Sequence, residues 1–441
     1  MRGRYLRAWR YGPETERLVR EALDRDGWSA TQWTMWQEQQ LTFVLHRAAT
    51  QVPYYREHWR RRRLAGDRVS HEALANWPIL DKEQVRRNPL AFVAEDRNVR
   101  RMFHEHTSGS TGKPLDLWWS RETVRNWYAL LEARWRRWYG VSIDDRWAIL
   151  GGQPVIPVSQ RRPPFWVWNS ALNQLYMSSY HLAPELISSY LDALVLHKVR
   201  YIWGYTSALY SLAQETLRLG REDVRLRVAI TNAEPLSDHQ RQAIAEAFQC
   251  PVRETYGMAE IVAAAGECGS GRLHEWPEVG ITELCLDDST KDTNSGDLIC
   301  TGLLNVDMPL IRYRVGDRAS IATTREQCPC GRGLPVISSI EGRTDDILVT
   351  PDGRRIGRLD PVFKGQLPIR EAQIIQEALN EVRVKYVRAP GCTAEGTQSI
   401  VTRLRERMGP VNVILEEVDC IPRSANGKFR AVICNLPRQE W

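Results

Sequence analysis

The segment Thr107-Ser108-Gly109-Ser110-Thr111-Gly112-Lys113-Pro114 is the stretch of this chain best equipped for chemistry. Backbone N–H groups approach an anion closely only where side chains are small or absent. Here two glycines leave that room, Ser and Thr hydroxyls add donors, and Lys113 adds charge. The guest implied is phosphate, although a plain polar turn would have the same composition. A Walker loop is excluded, because two residues rather than four separate Gly109 from Gly112, and Pro114 stands where Ser or Thr would meet magnesium. A second group of ligating types is Cys268, His274, Cys328 and Cys330, with Gly269, Gly271, Gly331 and Gly333 beside them to permit tight turns. Three soft sulfurs and an imidazole are the donors of a closed tetrahedral zinc site, which would fasten loops rather than catalyse. Unliganded thiols are the other reading, since the pairs lie far apart and Cys328 and Cys330 are separated by one residue only.

Such loops need a scaffold, and the hydrophobic pattern supplies one. From about residue 100 to 320, short apolar runs such as Trp147 to Leu150, Tyr201 to Trp203 and Val228 to Thr231 alternate with helix-length periodic segments. Ile281 to Leu286 and Asp297 to Cys300 add a further pair. This alternation predicts a large α/β domain with partly parallel sheets. Ahead of it, Trp33 to Gln51 carries Leu41, Val44, Leu45 and Ala48 on one face and stops at Val52-Pro53, as an N-terminal helical cap would. A turn at Glu341-Gly342-Arg343 then opens a tail with its own rhythm: strand Val382 to Val387, helix Gln398 to Met408, strand Val411 to Glu416. The expected domains are therefore 1–342 and 343–441.

Composition narrows the function. A chain of 441 residues with 43% hydrophobic and 26% charged residues has core enough for an enzyme of two or three domains. Its 60 basic residues interleave with 54 acidic ones, for a net charge of +6, which argues against a nucleic-acid surface. The densest basic run, Arg60 to Arg63, reads as a solvated helix end. No uninterrupted apolar stretch is long enough to span a membrane, and no apolar segment follows the basic start, so neither anchor nor secretory signal is expected and the cytoplasm is the default. Nine cysteines, an odd number, favour metal or free thiols over a disulfide framework. The 17 tryptophans, among them Trp135 and Trp138, are expected mainly as packing anchors.

The phosphate loop also resembles the signature loop of the adenylate-forming superfamily, and further segments follow in that superfamily's order. Glu254-Thr-Tyr-Gly-Met-Ala-Glu260 looks like the family segment whose aromatic lies against adenine and whose glutamate holds magnesium, roles that fall here to Tyr256, with Gly257 beside it, and to Glu260. Tyr313-Arg-Val-Gly-Asp317 resembles the segment whose aspartate takes the ribose hydroxyls, which implies that role for Asp317. Gly342-Arg-Thr-Asp-Asp-Ile347 is similar to the interdomain hinge, with Arg343 near the ribose and Asp345 at the pivot. Pro422-Arg-Ser-Ala-Asn-Gly-Lys428 resembles the C-terminal loop whose lysine bridges carboxylate and α-phosphate, so Lys428 is the expected catalytic lysine, with Thr107 and Glu260. Asn426 departs from the small hydroxyl residue more usual there.

Asn232-Ala233-Glu234-Pro235 resembles the stretch that runs along the adenine, and it can also serve as the start of a helix at Ser237-Asp238. Trp203-Gly-Tyr205-Thr-Ser207 looks like the wall of the acyl pocket, with Trp203 and Tyr205 equally readable as core. The segments Gln37 to Trp59 and Trp77 to Lys82 look like the N-terminal region of the phenylacetate-CoA ligase branch, and the loop variant looks closer to its capsule-biosynthesis-like relatives, some of which bind zinc with cysteines in this region.

The resemblance implies ATP- and magnesium-dependent activation of a carboxylic acid, aromatic by analogy, to acyl-AMP, followed by rotation of the small domain and transfer to CoA. An amine, hydroxyl or carrier-protein thiol is the alternative acceptor, and a scaffold without turnover the alternative class. The expected partners are small molecules, with a homodimer as a candidate assembly.

Overall fold

The computed structural model describes residues 2–107, 115–152, 155–157, 159–286, 295–321, 327–343, 348–351, 355–356, 362, 369–389, 394–423 and 429–436. The N-terminal cap is helical, as its periodicity requires. Helix Ala30–Gln51 starts on a capping box between Ser29 and Gln32 and stops at Val52, because Pro53 cannot continue it and instead opens the next helix, Pro53–Leu64. Val44, Leu45 and Ala48 are buried from that helix. Arg60 and Arg61 both pair with Glu57 on the exposed side of Pro53–Leu64.

Five strands, Val252–Gly257, Val228–Asn232, Tyr201–Tyr205, Trp147–Gly151 and Gln174–Ser178, lie side by side in parallel. Helices Pro184–Leu196, Thr206–Arg218 and Asp238–Phe248 bury their apolar residues against them. On the far side of Val252–Gly257 the sheet turns antiparallel, through Ala264–Glu267, Leu273–Glu275, Val336–Arg343, Tyr313–Ile321 and Ser295–Gly302 to Gly280–Leu286. With Trp166–Asn169 at the other edge this makes one 12-stranded sheet. The hairpin Phe103–His106 with Asp116–Trp119 stands apart.

The C-terminal part builds its own four-stranded sheet from Asn412–Glu417, Glu381–Arg388, Ile369–Ala378 and Val432–Cys434, with helix Ala394–Met408 over a separate core of Ile374, Val382, Val384, Ile400 and Leu404. The fold is thus a large α/β domain of several sheets with a small α/β domain after it. One local expectation is corrected. Glu341-Gly342-Arg343 is not a turn but the end of strand Val336–Arg343, held there by pairing of Arg343 with Asp317 and of Gly342 with Arg318.

Helix Arg121–Trp135 runs through the main core and explains much of the tryptophan content. The Trp135 ring packs edge-on against Trp203 (5.1 Å between centroids) and tilted against Trp276 (5.1 Å), and its Nε1–H donates to the Ala265 carbonyl (2.9 Å). At Gly257 a Cβ would sit 3.1 Å from the Trp135 ring, tighter than ordinary packing. Beside it Arg134, fully buried, ties the N-terminal helices to the sheet. It donates to Asp26 (2.9 Å) and through both terminal nitrogens to Glu278 (2.8 Å each).

Candidate functional site

The base of the loop expected to hold phosphate is clasped by two residues. Thr107 N–H donates to the Leu115 carbonyl (3.0 Å), while Leu115 N–H donates to Thr107 Oγ1 (2.9 Å), directly beyond the paired strands of the hairpin. Ser108, Gly109, Ser110, Thr111, Gly112 and Lys113 lie outside the described residues, as do Asp345 and Lys428. Of Arg343 the structure describes the main chain, which pairs with Asp317.

The other residues expected at a nucleotide site converge. Tyr256, at the end of the innermost parallel strand, donates its hydroxyl to Asp317 Oδ2 (2.7 Å), although 61 residues separate them. Burial pushes the Tyr256 phenol well above its usual range, so it acts as a donor and not as a phenolate. Glu260 follows Gly257 in a turn and is buried. Its Oε1 receives the Tyr313 hydroxyl (3.0 Å) and the Lys82 ammonium (3.0 Å), the latter from 178 residues away.

Neither Lys82 nor Tyr313 stands out from its residue type. What places Lys82 is the segment before it. Leu80 adds a bridge to the start of strand Tyr313–Ile321, with Leu80 N–H on the Arg312 carbonyl and Arg314 N–H on the Leu80 carbonyl (2.9 Å each). Asp81 then caps helix Lys82–Arg87 through a box with Gln84, so Lys82 leaves the first turn toward Glu260. The Asp81–Gln84 spacing is the local sequence signal for this helix start. Three residues with side chains take the left-handed conformation beside these groups: Ala233 (φ 61°), Ile261 (φ 50°) and Arg312 (φ 49°). Each costs on the order of 1–2 kcal/mol, and strain of this kind gathers where a site dictates the backbone.

Ala233, Glu234 and Pro235 follow strand Val228–Asn232, and helix Asp238–Phe248 starts just after them on a Ser237–Gln240 capping box, so the segment is also a helix approach. Trp203 is buried among Trp135, Trp147 and the Arg136 guanidinium, and its Nε1–H donates to the Asn232 side-chain oxygen (3.0 Å). Tyr205, half-buried, stands at the end of the same strand, where crevices form at the carboxyl ends of parallel strands.

The sulfur and imidazole donors also meet. One ligand atom from each of Cys268, His274, Cys328 and Cys330 lies within 4.8 Å of all the others. Cys268 Sγ and Cys328 Sγ are 3.6 Å apart, and Cys330 Sγ is 3.4 Å from His274 Nε2. A tetrahedral zinc with Zn–S near ~2.3 Å sets its sulfurs about 3.8 Å apart, so the spacing fits. His274 Nδ1–H donates to the Leu334 carbonyl (3.0 Å), which turns Nε2 toward the sulfurs, and burial holds the imidazole below its usual pKa and so neutral. The same Cys-x-Cys loop grips the N-terminal cap: Gly333 N–H donates to the Asp26 carbonyl (2.8 Å), and a Cβ on Gly333 would fall 1.8 Å from the Trp28 carbonyl oxygen. On the other side, Glu267, next to Cys268, receives Arg241 (2.9 Å) and the main-chain N–H of Glu254 (2.8 Å), which ties the cluster to the strand carrying Tyr256.

Comparison with known proteins shows what the chain as a whole is similar to. The CapK C-terminal domain family matches residues 348–435. Protein CapK of Staphylococcus aureus is 25% identical over 87% of this chain and 85% of its own length. The phenylacetate-coenzyme A ligase of Pseudomonas putida is 26% identical over 71% of each chain. Among solved structures, 2-hydroxyisobutyryl-CoA ligase in its postadenylation state with R3-HIB-AMP superposes with a TM-score of 0.70 at 20% identity, covering 94% of this chain and 92% of that one. The same ligase with 2-HIB-AMP and CoA, in its thioesterification state, superposes with a TM-score of 0.55 at 19% identity over 93% and 91%. The chain belongs to the adenylate-forming ligase superfamily. Within it, CapK and the phenylacetate-coenzyme A ligases are its homologues. Among the described residues no helix is long and apolar enough to cross a membrane.

Proposed function

We propose that this chain condenses a carboxylic acid, aromatic in its preferred form, with ATP to give acyl-AMP and pyrophosphate, and then transfers the acyl group to CoA. In the first step a carboxylate oxygen attacks the α-phosphorus and the bond to the β-phosphate oxygen breaks. In the second the CoA sulfur attacks the acyl carbon and AMP leaves. Both substrates of the first step are anions, so the site's task is to neutralise charge and hold an in-line geometry.

The observation that carries this reading is the meeting of Tyr256 with Asp317 and of Glu260 with Tyr313 and Lys82, brought together from separate segments of the chain. Tyr256 and Gly257 would lie against adenine with Ala233, Glu234 and Pro235, while Asp317 and Arg343 would take the ribose. Thr107 and the loop Ser108 to Lys113 would hold phosphate. Magnesium, when bound, supplies charge neutralisation on the phosphates. A single carboxylate plus substrate oxygens is its usual company, and Glu260 fits that role. Lys428 would bridge carboxylate and α-phosphate, with Asp345 as pivot between domains 1–342 and 343–441. Tyr205 at its strand end would wall the acyl pocket, with Trp203 behind it. Cys268, His274, Cys328 and Cys330 would hold a structural zinc that fastens the N-terminal cap.

The test is incubation with ATP, magnesium and a panel of aromatic and aliphatic acids, with hydroxylamine to trap acyl-AMP and with or without CoA. Acid-dependent pyrophosphate supports adenylation, and a CoA thioester supports the acceptor; hydroxamate without thioester would point to an amine, hydroxyl or carrier thiol. Lys428→Ala should abolish acid-dependent pyrophosphate, and wild-type rates in that variant would remove Lys428 from the mechanism.

A further inference from the structure

Glu234 has a second engagement that an adenine-lining segment does not require. Its carboxylate is half-buried at the turn after strand Val228–Asn232, where Ala233 already takes the left-handed conformation. Oε2 receives Ser207 N–H (2.8 Å) in the first turn of helix Thr206–Arg218, and the Thr206 hydroxyl donates to the Glu234 carbonyl (3.0 Å), so one oxygen caps that helix. Oε1 receives Phe429 N–H (2.8 Å), 195 residues away in the small domain. That N–H belongs to the peptide that joins Lys428 to Phe429.

Two contacts support the docked segment. Arg423 lies over the Phe429 ring (4.6 Å to the centroid) and pairs with Glu371 within the small domain. Arg370, at the start of strand Ile369–Ala378, reaches Glu215 on helix Thr206–Arg218 (3.6 Å), the helix that Glu234 caps.

We propose that Glu234 is a positioning residue that docks the Lys428–Phe429 peptide on the large domain, and that acyl-AMP formation needs this bond while acyl transfer does not. The inference rests on the adenylating function proposed above. A carboxylate accepting a main-chain N–H makes a short, charge-assisted bond, and this one holds Phe429, the residue that follows Lys428 in the chain, against the large domain. The two oxygens serve two domains, so breaking the outer bond leaves the helix cap in place. Glutamine keeps the size but offers one accepting oxygen where two N–H groups now point.

The full chain permits a clean test because Cys420 is exposed and allows ligation of a synthetic 420–441 segment without changing the sequence. An ester in place of the amide at Phe429 removes the N–H donor while leaving every side chain unchanged. With phenylacetate first and the acid panel behind it, the ester variant and Glu234→Gln should both form pyrophosphate about 10–100-fold more slowly, the range for a hydrogen bond to a charged group. Transfer from supplied phenylacetyl-AMP to CoA by the ester variant should stay within about 2-fold of wild type. An unchanged adenylation rate in the ester variant overturns the inference, as does an equal fall in both half-reactions. Should wild type release no pyrophosphate with any acid, the functional reading fails by itself. Amide exchange at Phe429 with magnesium and the analogue AMP-CPP still decides the docking: exchange at least ~10-fold faster in Glu234→Gln is expected, and equal rates refute it.

Discussion

Replacing Arg134 with methionine removes the one cation that, among the described residues, Asp26 and Glu278 share, and leaves both carboxylates inside the protein. Three charge-assisted bonds are lost, one at 2.9 Å to Asp26 and two at 2.8 Å to Glu278. Removing one partner from a buried ionic cluster costs about 3–5 kcal/mol. Asp26 keeps the Trp138 indole (2.7 Å) and Arg332 (3.5 Å), and Glu278 keeps Arg25 (3.0 Å), which places the expected loss at the lower end, near ~3 kcal/mol at neutral pH.

The loss should depend on pH in a definite direction. Burial pushes the Glu278 carboxyl up, but Arg134 more than offsets it and holds the group below its usual range. A depressed acid contributes stability that is present above its unfolded pKa and fades as pH falls through its folded value. In the variant the push of burial prevails, so the same carboxylate opposes folding as pH rises through its raised value. Burial already holds Asp26 above its usual range in the native chain, and it would rise further. The gap between the two proteins should therefore be widest near pH 7 and shrink as pH falls and the variant's raised carboxyls take up protons. Urea unfolding followed by tryptophan fluorescence, at matched pH for both proteins, measures it. A gap under about 1 kcal/mol at pH 7, or one that widens toward acid, refutes the account.

Three further outcomes are expected. Tyr256→Phe deletes the 2.7 Å bond to Asp317 and should raise KM for ATP about 10-fold or more with a smaller effect on kcat; steady-state kinetics against ATP checks it. Lys82→Met strips Glu260 of its ammonium partner, and pyrophosphate formation should fall about 10-fold while unfolding shifts by about 1 kcal/mol or less, since Lys82 is itself part-exposed; equal activity in the variant would make the pair structural. Chelation or Cys328→Ser should release about one zinc per chain by elemental analysis and open the corner at Asp26 to Trp28 to protease, because the Cys-x-Cys loop holds that corner through Gly333; cleavage unchanged by metal loss would sever the two.

Much of the fold was legible because hydrophobic period is local. Val228 to Thr231 and Val382 to Val387 read as strands and are strands within a residue or so at each end, and the helix through Val44, Leu45 and Ala48 ends where proline forbids its continuation. Glu341-Gly342-Arg343 misled because a glycine flanked by charges looks like a turn, whereas pairing with Asp317 and Arg318 across the sheet keeps it extended. Trp203 shows a similar limit. Residue type marks it as an aromatic wall of some kind, and only the packing of Trp135, Trp147 and Arg136 around it says how deep it lies.

By itself the sequence determined the chemical parts and their order: a small-residue loop fit for phosphate, acids and aromatics in fixed succession, four soft donors, and a tail with its own core. These are properties of residue type and short spacing, which need no partner to be read. Tertiary structure alone decided which parts meet. Lys82 with Glu260, Arg134 between Asp26 and Glu278, Gly333 under Asp26, and Glu234 with the peptide after Lys428 are contacts across 108 to 307 residues, the last of them between domains. No periodicity encodes such pairs, because each depends on where whole elements pack and which buried charges must then find a counterpart.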